Sequence, residues 1–323
     1  VHFDLDDGQR ELQSALTRFC HDLFPVAVAR ESGEKGLDRG LWRRLADMGV
    51  FALALPDSDG GAGMTVVEQV LAFEVLGAGL VPGPVVGSTL AAGLVEGAST
   101  GDAVVAAVTA TDGPVLVPGL RDADWLLVLH DDRVELVEAA GIHGDLVSRP
   151  LDPTTPLTRL DAIPSGEVLL LGAASDALCR TASLLTSAGL LGIARRTTEL
   201  ATGYAKTREQ YGRTIGSFQA IKHMLADMLA LAEVASASVH AAGVMLADTS
   251  AEAERAVAGA RVLAGKAALH NAATNVQVHG GMGFTWELDA HLYLKRARLL
   301  SVSHGNVDAA AETVATQLRG ALQ

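Results

Sequence analysis

Three long helical patterns crowd the second half of the chain, over Leu178 to Lys206, Phe218 to Thr249 and Ala251 to Val278. Apolar residues recur in them at three- and four-residue spacing, with Ile221, Leu225, Met228 and Ala232 as one example of a face that must be buried. Long elements of this kind, separated by short breaks, form an antiparallel bundle. The break at Gly280-Gly281-Met282-Gly283-Phe284 ends the third pattern, and a shorter pair of helices runs to Gln323.

The first hundred residues are also helical. Leu12, Leu16, Phe19 and Leu23 make an apolar stripe that Pro25 closes. A second helix is predicted from Gly40 to Met48, followed by the apolar run Val50 to Leu55. Pro56 to Gly63 is a dense turn signal, and Thr65 with Glu68 reads as a capping box for a helix through Leu76. After the break from Gly77 to Gly87, a further helix runs to about Val95. Between the two helical parts the period shifts towards two, at Val104 to Val108, Pro114 to Pro118, Trp125 to His130, Arg133 to Val137 and Glu167 to Leu171. Asp131-Asp132 looks like a hairpin turn, and Pro150, Pro153, Pro156 and Pro164 mark loops or edge strands. The expected architecture is mainly α with a central β-domain. It has an N-terminal helical domain (1–100), a small β-domain (101–173) and a C-terminal four-helix-type bundle (174–323).

A net charge of −13 disfavours nucleic acid or an anionic membrane as the main partner. Cys20 and Cys179 lie far apart in apolar helical contexts and read as reduced, buried thiols. His223, His240, His270 and His279 share no ligand spacing with acids or cysteines, so no metal site is expected. The first residues show no basic region followed by an apolar block, and no apolar run of about 18 residues stands out. A cytoplasmic protein is the expectation.

The stretch Tyr204 to Gln219 joins two of the long patterns, with Arg208 at the bend, Gly212 and Gly216 beside it and Gln219 opening the next helix. Backbone N–H groups at a helix start and a permanently charged guanidinium suit a phosphate or pyrophosphate. The same residues would also serve an ordinary helix stop, with Arg208 capping carbonyls. What flanks the stretch decides between the two.

Domain order and motifs together resemble the acyl-CoA dehydrogenase family. Gly49 to Gly63 is similar to the family's N-terminal helix-to-loop signature, Tyr204 to Gln219 to its Tyr…Arg…Gly…Gln corner, and Gln277 to Phe284 to its Gln-x-x-Gly-Gly-x-Gly segment. In that family both segments contact FAD, the first reaching across a subunit interface. The resemblance assigns cofactor contact to Arg208, Gln210, Phe218, Gln219, Gln277, Val278, Gly280 and Gly281. Arg208 would neutralise pyrophosphate, Gln210 and Gln219 would hydrogen-bond phosphate or adenine, and Gly280 and Gly281 would let backbone approach without a Cβ clash.

The family's reaction is α,β-dehydrogenation of an acyl thioester, and it needs a carboxylate base near the α-carbon. Where the family places a Tyr-Glu-Gly-Thr segment, this chain has Val302-Ser303-His304-Gly305-Asn306, so His304 stands in the glutamate's position. At the family's other base position, near Ala182 and Ser183, no carboxylate occurs from Leu178 to Gly192. Nothing from Val104 to Leu171 resembles the family's Thr-Glu-Pro…Gly-Ser-Asp segment, which holds the flavin ring. The pattern resembles the short, glutamate-lacking subunit of bacterial α2β2 acyl-CoA dehydrogenases acting on steroid side-chain CoA thioesters. It implies no catalytic residue in this chain, a shared FAD, and a longer partner chain that carries the glutamate and holds most of the acyl-CoA. Two other readings stand beside it: a self-sufficient homotetramer using His304 as base, and a non-enzymatic assembly scaffold. Glu199 reads as a solvated or ion-paired surface acid and Glu287 as structural.

Overall fold

The structure is a computed structural model and describes residues 5–321. The sequence reading of residues 1–4, and the end of the last helix at Gln323, lie outside the described residues.

Helix α1 (Asp7–Leu23) opens on a reciprocal cap, in which Gln9 N–H donates to Asp6 Oδ1 at 2.8 Å and Asp6 N–H donates to Gln9 Oε1 at 3.1 Å. Helix α2 (Val26–Lys35) lies where the sequence reading has no element. Pro25 ends α1 and stands at the cap of α2, a place where its missing N–H costs nothing, so one proline serves two helices. Helix α3 spans Arg39–Asp47. Val50 to Leu53 is a buried turn region rather than a strand, with Val50 and Phe51 inside the core. The predicted cap of α4 (Val66–Ala78) is present: Val67 N–H donates to Thr65 Oγ1 at 3.1 Å and Thr65 N–H to Glu68 Oε2 at 2.9 Å. Helix α5 is shorter than expected, Val85–Ala91.

Strands β1 (Val105–Thr109), β2 (Val115–Pro118), β3 (Trp125–Leu129) and β4 (Arg133–Glu138) match the predicted runs, and His130 N–H to Arg133 O at 2.9 Å closes the turn at Asp131-Asp132. Strands β5 (Asp145–Leu146) and β6 (Leu157–Leu160) are additions to the sequence reading, and β7 (Glu167–Leu171) follows them. One sheet has the order β1-β3-β4-β7 and a second the order β2-β6-β5. Ala106, Val108, Leu126 and Val128 of the first pack with Val117 and Leu160 of the second in a separate small core.

Helix α6 (Ala173–Thr207) is the axis of the bundle. It is followed by β8 (Glu209–Gln210), β9 (Arg213–Thr214), α7 (Gln219–Ala247), α8 (Ala253–His279), α9 (Ala290–Leu300) and α10 (Val307–Ala321). Contrary to the sequence reading, α6 and α7 are each long and apolar enough to cross a membrane by length and composition. In the fold, however, α6 buries 67% of that stretch against its neighbours. Where α4 crosses α6, a Cβ on Gly77 would collide with the backbone of Gly189, and one on Gly192 with the carbonyl oxygen of Glu74. The two main chains touch there because neither carries a side chain at the crossing.

Two buried polar clusters tie the layers. Arg296 Nε donates to Asp152 Oδ2 at 2.6 Å, and Arg296 Nη2 donates to Thr154 Oγ1 at 2.8 Å, fastening the loop before β6 to α9. Burial opposes the charge on Asp152, but Arg296 and the Thr154 hydroxyl hold its carboxyl below the usual range. Glu74 of α4 takes an ion pair from Arg195 of α6 and faces His240 Nε2 of α7 at 3.3 Å. His240 is thereby accounted for, and no cluster of three metal-ligating side chains occurs among the described residues. Cys20 is buried, with its thiol pushed up to about 12 by burial, while Cys179 is only half-buried.

Candidate functional site

The corner after α6 is a rigid projection. Arg208 caps the helix through its own N–H, which donates to Tyr204 O at 2.8 Å. Strands β8 and β9 pair Glu209 with Thr214 and Gln210 with Arg213. Tyr211 (φ 54°) and Gly212 (φ 76°) form the two-residue loop, and the left-handed pair at both central positions matches the strand twist. The turn then folds back on its helix, since a Cβ on Gly216 would lie 2.8 Å from Ala205 O. The Arg213 guanidinium sits 4.1 Å over the Phe218 ring, so that ring is already engaged within the chain.

The second segment meets this corner directly. The rings of Tyr204 and His279 stack with centroids 4.1 Å apart, and Val278 packs with Ala201, Ala205 and Met228 in a shared apolar cluster that also holds Ile215. Two motifs far apart in sequence thus become one surface. The Val278 side chain is core, so only its backbone can face a ligand. Gly280 (φ 61°) and Gly281 have nothing within 4 Å of a built Cβ, whereas Gly283 packs tightly on Val276 O. Arg208, Gln219 and Gln277 are exposed and make no side-chain hydrogen bond among the described residues; Gln210 donates to Glu209 O at 2.9 Å. An exposed, unpaired guanidinium, two free amides and an open glycine backbone fit an anionic, planar cofactor.

The second candidate is a chamber of about 100 Å³ between α4, α5, α6, α9 and the β-layer, lined by Phe73, Leu76, Leu185, Thr186, Leu299 and His304 among others. His304 sits on the α9–α10 loop at φ 51°, and its Nδ1 is buried without a hydrogen-bond partner. Desolvation, and secondarily the charge of Arg261, lower its pKa to about 4. Arg261 of α8 is fully buried and faces carbonyls: Nη2 donates to Leu300 O and Ser303 O at 2.5 Å and to Gly305 O at 2.7 Å. Its own pKa is lowered to about 10 by burial, and the carbonyls at the C-terminal end of α9 stabilise the cation. No carboxylate lines the chamber among the described residues. Arg261 escapes the sequence reading, although an arginine on the buried stripe Val257, Ala260, Ala264, Ala268 was the available signal. Glu199 pairs with Arg196 at 3.1 Å, as a surface acid should. Glu287 is exposed.

Residues 6–101 match the model of the acyl-CoA dehydrogenase N-terminal domain, and residues 180–319 that of the acyl-CoA dehydrogenase C-terminal domain. Acyl-CoA dehydrogenase IpdE2 of Mycobacterium tuberculosis is 36% identical over 281 residues, covering 84% of this chain and 85% of that protein. The fold is shared with a chain of the Tcur3481-Tcur3483 steroid ACAD (TM-score 0.84, 22% identity, 98% and 99% of the two chains). It is shared equally with a chain of the ChsE4-ChsE5 complex from Mycobacterium tuberculosis (TM-score 0.83, 24% identity, 99% of each). With IpdE2 aligned across both helical parts and the β-layer between them, the chain belongs to the acyl-CoA dehydrogenase family of flavoprotein oxidoreductases.

Proposed function

We propose that the chain is a non-catalytic, FAD-completing subunit of a hetero-oligomeric acyl-CoA dehydrogenase in the cytoplasm. The observation that carries this reading is the chamber: where the family keeps its carboxylate stands His304, a ring held neutral by burial and by Arg261. Such a ring is a poor acceptor for an α-proton at neutral pH. The base then comes from a longer partner chain of the same family, which also holds most of the acyl-CoA. FAD, when bound, would supply the hydride acceptor for the β-hydrogen. This chain's part is electrostatic and positional: Arg208 would offset pyrophosphate charge, Gln210 and Gln219 would hydrogen-bond phosphate or adenine, and the Gln277 segment would present the Gly280-Gly281 backbone to the cofactor. The likeness to a steroid ACAD supports a steroid side-chain CoA thioester as substrate class.

Co-expression with the partner chain, followed by flavin and protein quantitation, tests the proposal. About one FAD per two chains is expected if each pair of unlike chains shares one site, while full flavin loading and turnover by this chain alone would overturn it. A self-sufficient enzyme using His304 as base is the second reading, favoured by the ring's place in the chamber wall. It requires His304→Ala to abolish turnover in a homomeric preparation. A pure scaffold would leave the co-purified assembly without flavin absorbance.

A further inference from the structure

Two unfavourable features meet at His304 in the chamber wall, and a third lies on the arginine that holds its loop from behind. His304 is a non-glycine residue in a left-handed conformation, which L side chains rarely adopt. Its Nδ1 is buried and unpartnered, and so is Nη1 of Arg261, the buried cation that clamps the loop. Strained backbone and unpaired polar groups persist where the surroundings over-determine them, and they gather where ligands bind.

Water alone is a poor occupant. A buried water needs about two to four polar partners, yet the Thr186 hydroxyl is spent on Ala182 O at 2.7 Å, the Ser303 hydroxyl on Leu299 O at 2.9 Å, and Arg296 on Asp152. The remaining walls are largely apolar: Phe73, Leu76, Leu185 and Leu299. A dry apolar cavity of about 150 Å³ takes benzene, so a chamber of about 100 Å³ takes less. No unpaired charge faces it, so a charged group would find no counter-ion.

The geometry points to a binding site in this chain's own chamber for a small neutral molecule of about five heavy atoms, with an apolar body and one hydrogen-bonding group received by the His304 imidazole. A short-chain ketone or alcohol has that chemistry, whereas an acyl-CoA does not fit the volume. The site stands whether or not the chain completes a partner's flavin.

Gly189 supplies the test. A Cβ there meets only Leu300 Cδ1 at 3.7 Å and Phe73 O at 4.0 Å, so a longer side chain enters the chamber. The co-purified assembly is titrated with 2-butanone by ligand-observed NMR, with butyrate as the charged counterpart. Saturable millimolar binding of 2-butanone is expected, weakened about tenfold or more by Gly189→Leu, and by Thr186→Leu should the first variant fold poorly. Flavin content should be the same in wild type and both variants, which separates this test from that of the shared cofactor site. The site is overturned if 2-butanone fails to saturate or binds both variants as tightly as wild type. Equal affinity for butyrate overturns the neutral-ligand assignment.

Discussion

The Arg208 corner and the His304 chamber lie at opposite extremes of polar accounting. At the corner, Arg208, Gln219 and Gln277 stand in solvent with no partner of their own, on a hairpin braced by the Tyr204–His279 stack. Behind the chamber wall, Arg261 is enclosed and the carbonyl oxygens of Leu300, Ser303 and Gly305 accept from one of its nitrogens. The corner spends its stability on presenting unsatisfied groups to something outside the chain. The chamber spends its polar groups on holding a loop still. Corner substitutions should therefore change ligand binding at constant stability, and substitutions at the loop clamp should do the reverse.

Arg261→Met is the strongest attempt to break that contrast. Removing the guanidinium that donates to the Leu300, Ser303 and Gly305 carbonyls should cost about 3–5 kcal/mol in denaturant unfolding, with per-molecule flavin retention unchanged in the fraction that folds. Acid comes next. The folded-state pKa of His304 is depressed to about 4 from an ordinary value near 6.5, so its contribution is complete above the unfolded value. That contribution should fade as the pH falls from about 6.5 to 4, by about 2–3 kcal/mol, and His304→Asn should flatten this part of the profile. Asp152, also depressed, adds its loss only below the ordinary carboxylate range. On the corner side, Arg208→Gln should lower FAD affinity of the co-purified assembly about tenfold, about 1.4 kcal/mol, with an unchanged urea midpoint. A shifted midpoint would erase the distinction between the regions. Smallest of all, Glu199→Gln removes an exposed pair with Arg196 and should move stability by less than about 0.5 kcal/mol.

The two regions also differed in how well they could be read from sequence. Corner residues announce themselves because their neighbours are local: Arg208, Gly212 and Gln219 fall within one short stretch, and Gly280 follows a helix end. Thr65 with Glu68, and strands β1, β2, β3, β4 and β7, were legible for the same reason. Helix α2 was hidden because Pro25 reads as a stop, although it also begins the next helix. Strands β5 and β6 were hidden among prolines, being two and four residues long and fixed by pairing, β6 with β2 and β5 with β6, rather than by pattern. The chamber was the least legible part. His304 could be noticed as an exchanged residue, but Arg261 acts on it from 43 or so positions upstream in the chain, across a tertiary contact. At Val278 the sequence motif does not show which part of the residue is available: its side chain fills the core, which leaves its backbone to face outward.

The glycine crossing of α4 and α6 bears on how such a protein can vary over time. Because Gly77 and Gly192 bring main chain against main chain, the distance between the two helices is set by peptide groups that are the same in every sequence. The apolar residues around the chamber, Phe73, Leu76 and Leu185, can then be exchanged for others without moving the helices that carry them. Mutational drift would reshape the hollow while leaving its frame in place, so relatives can share this architecture and still receive different guests.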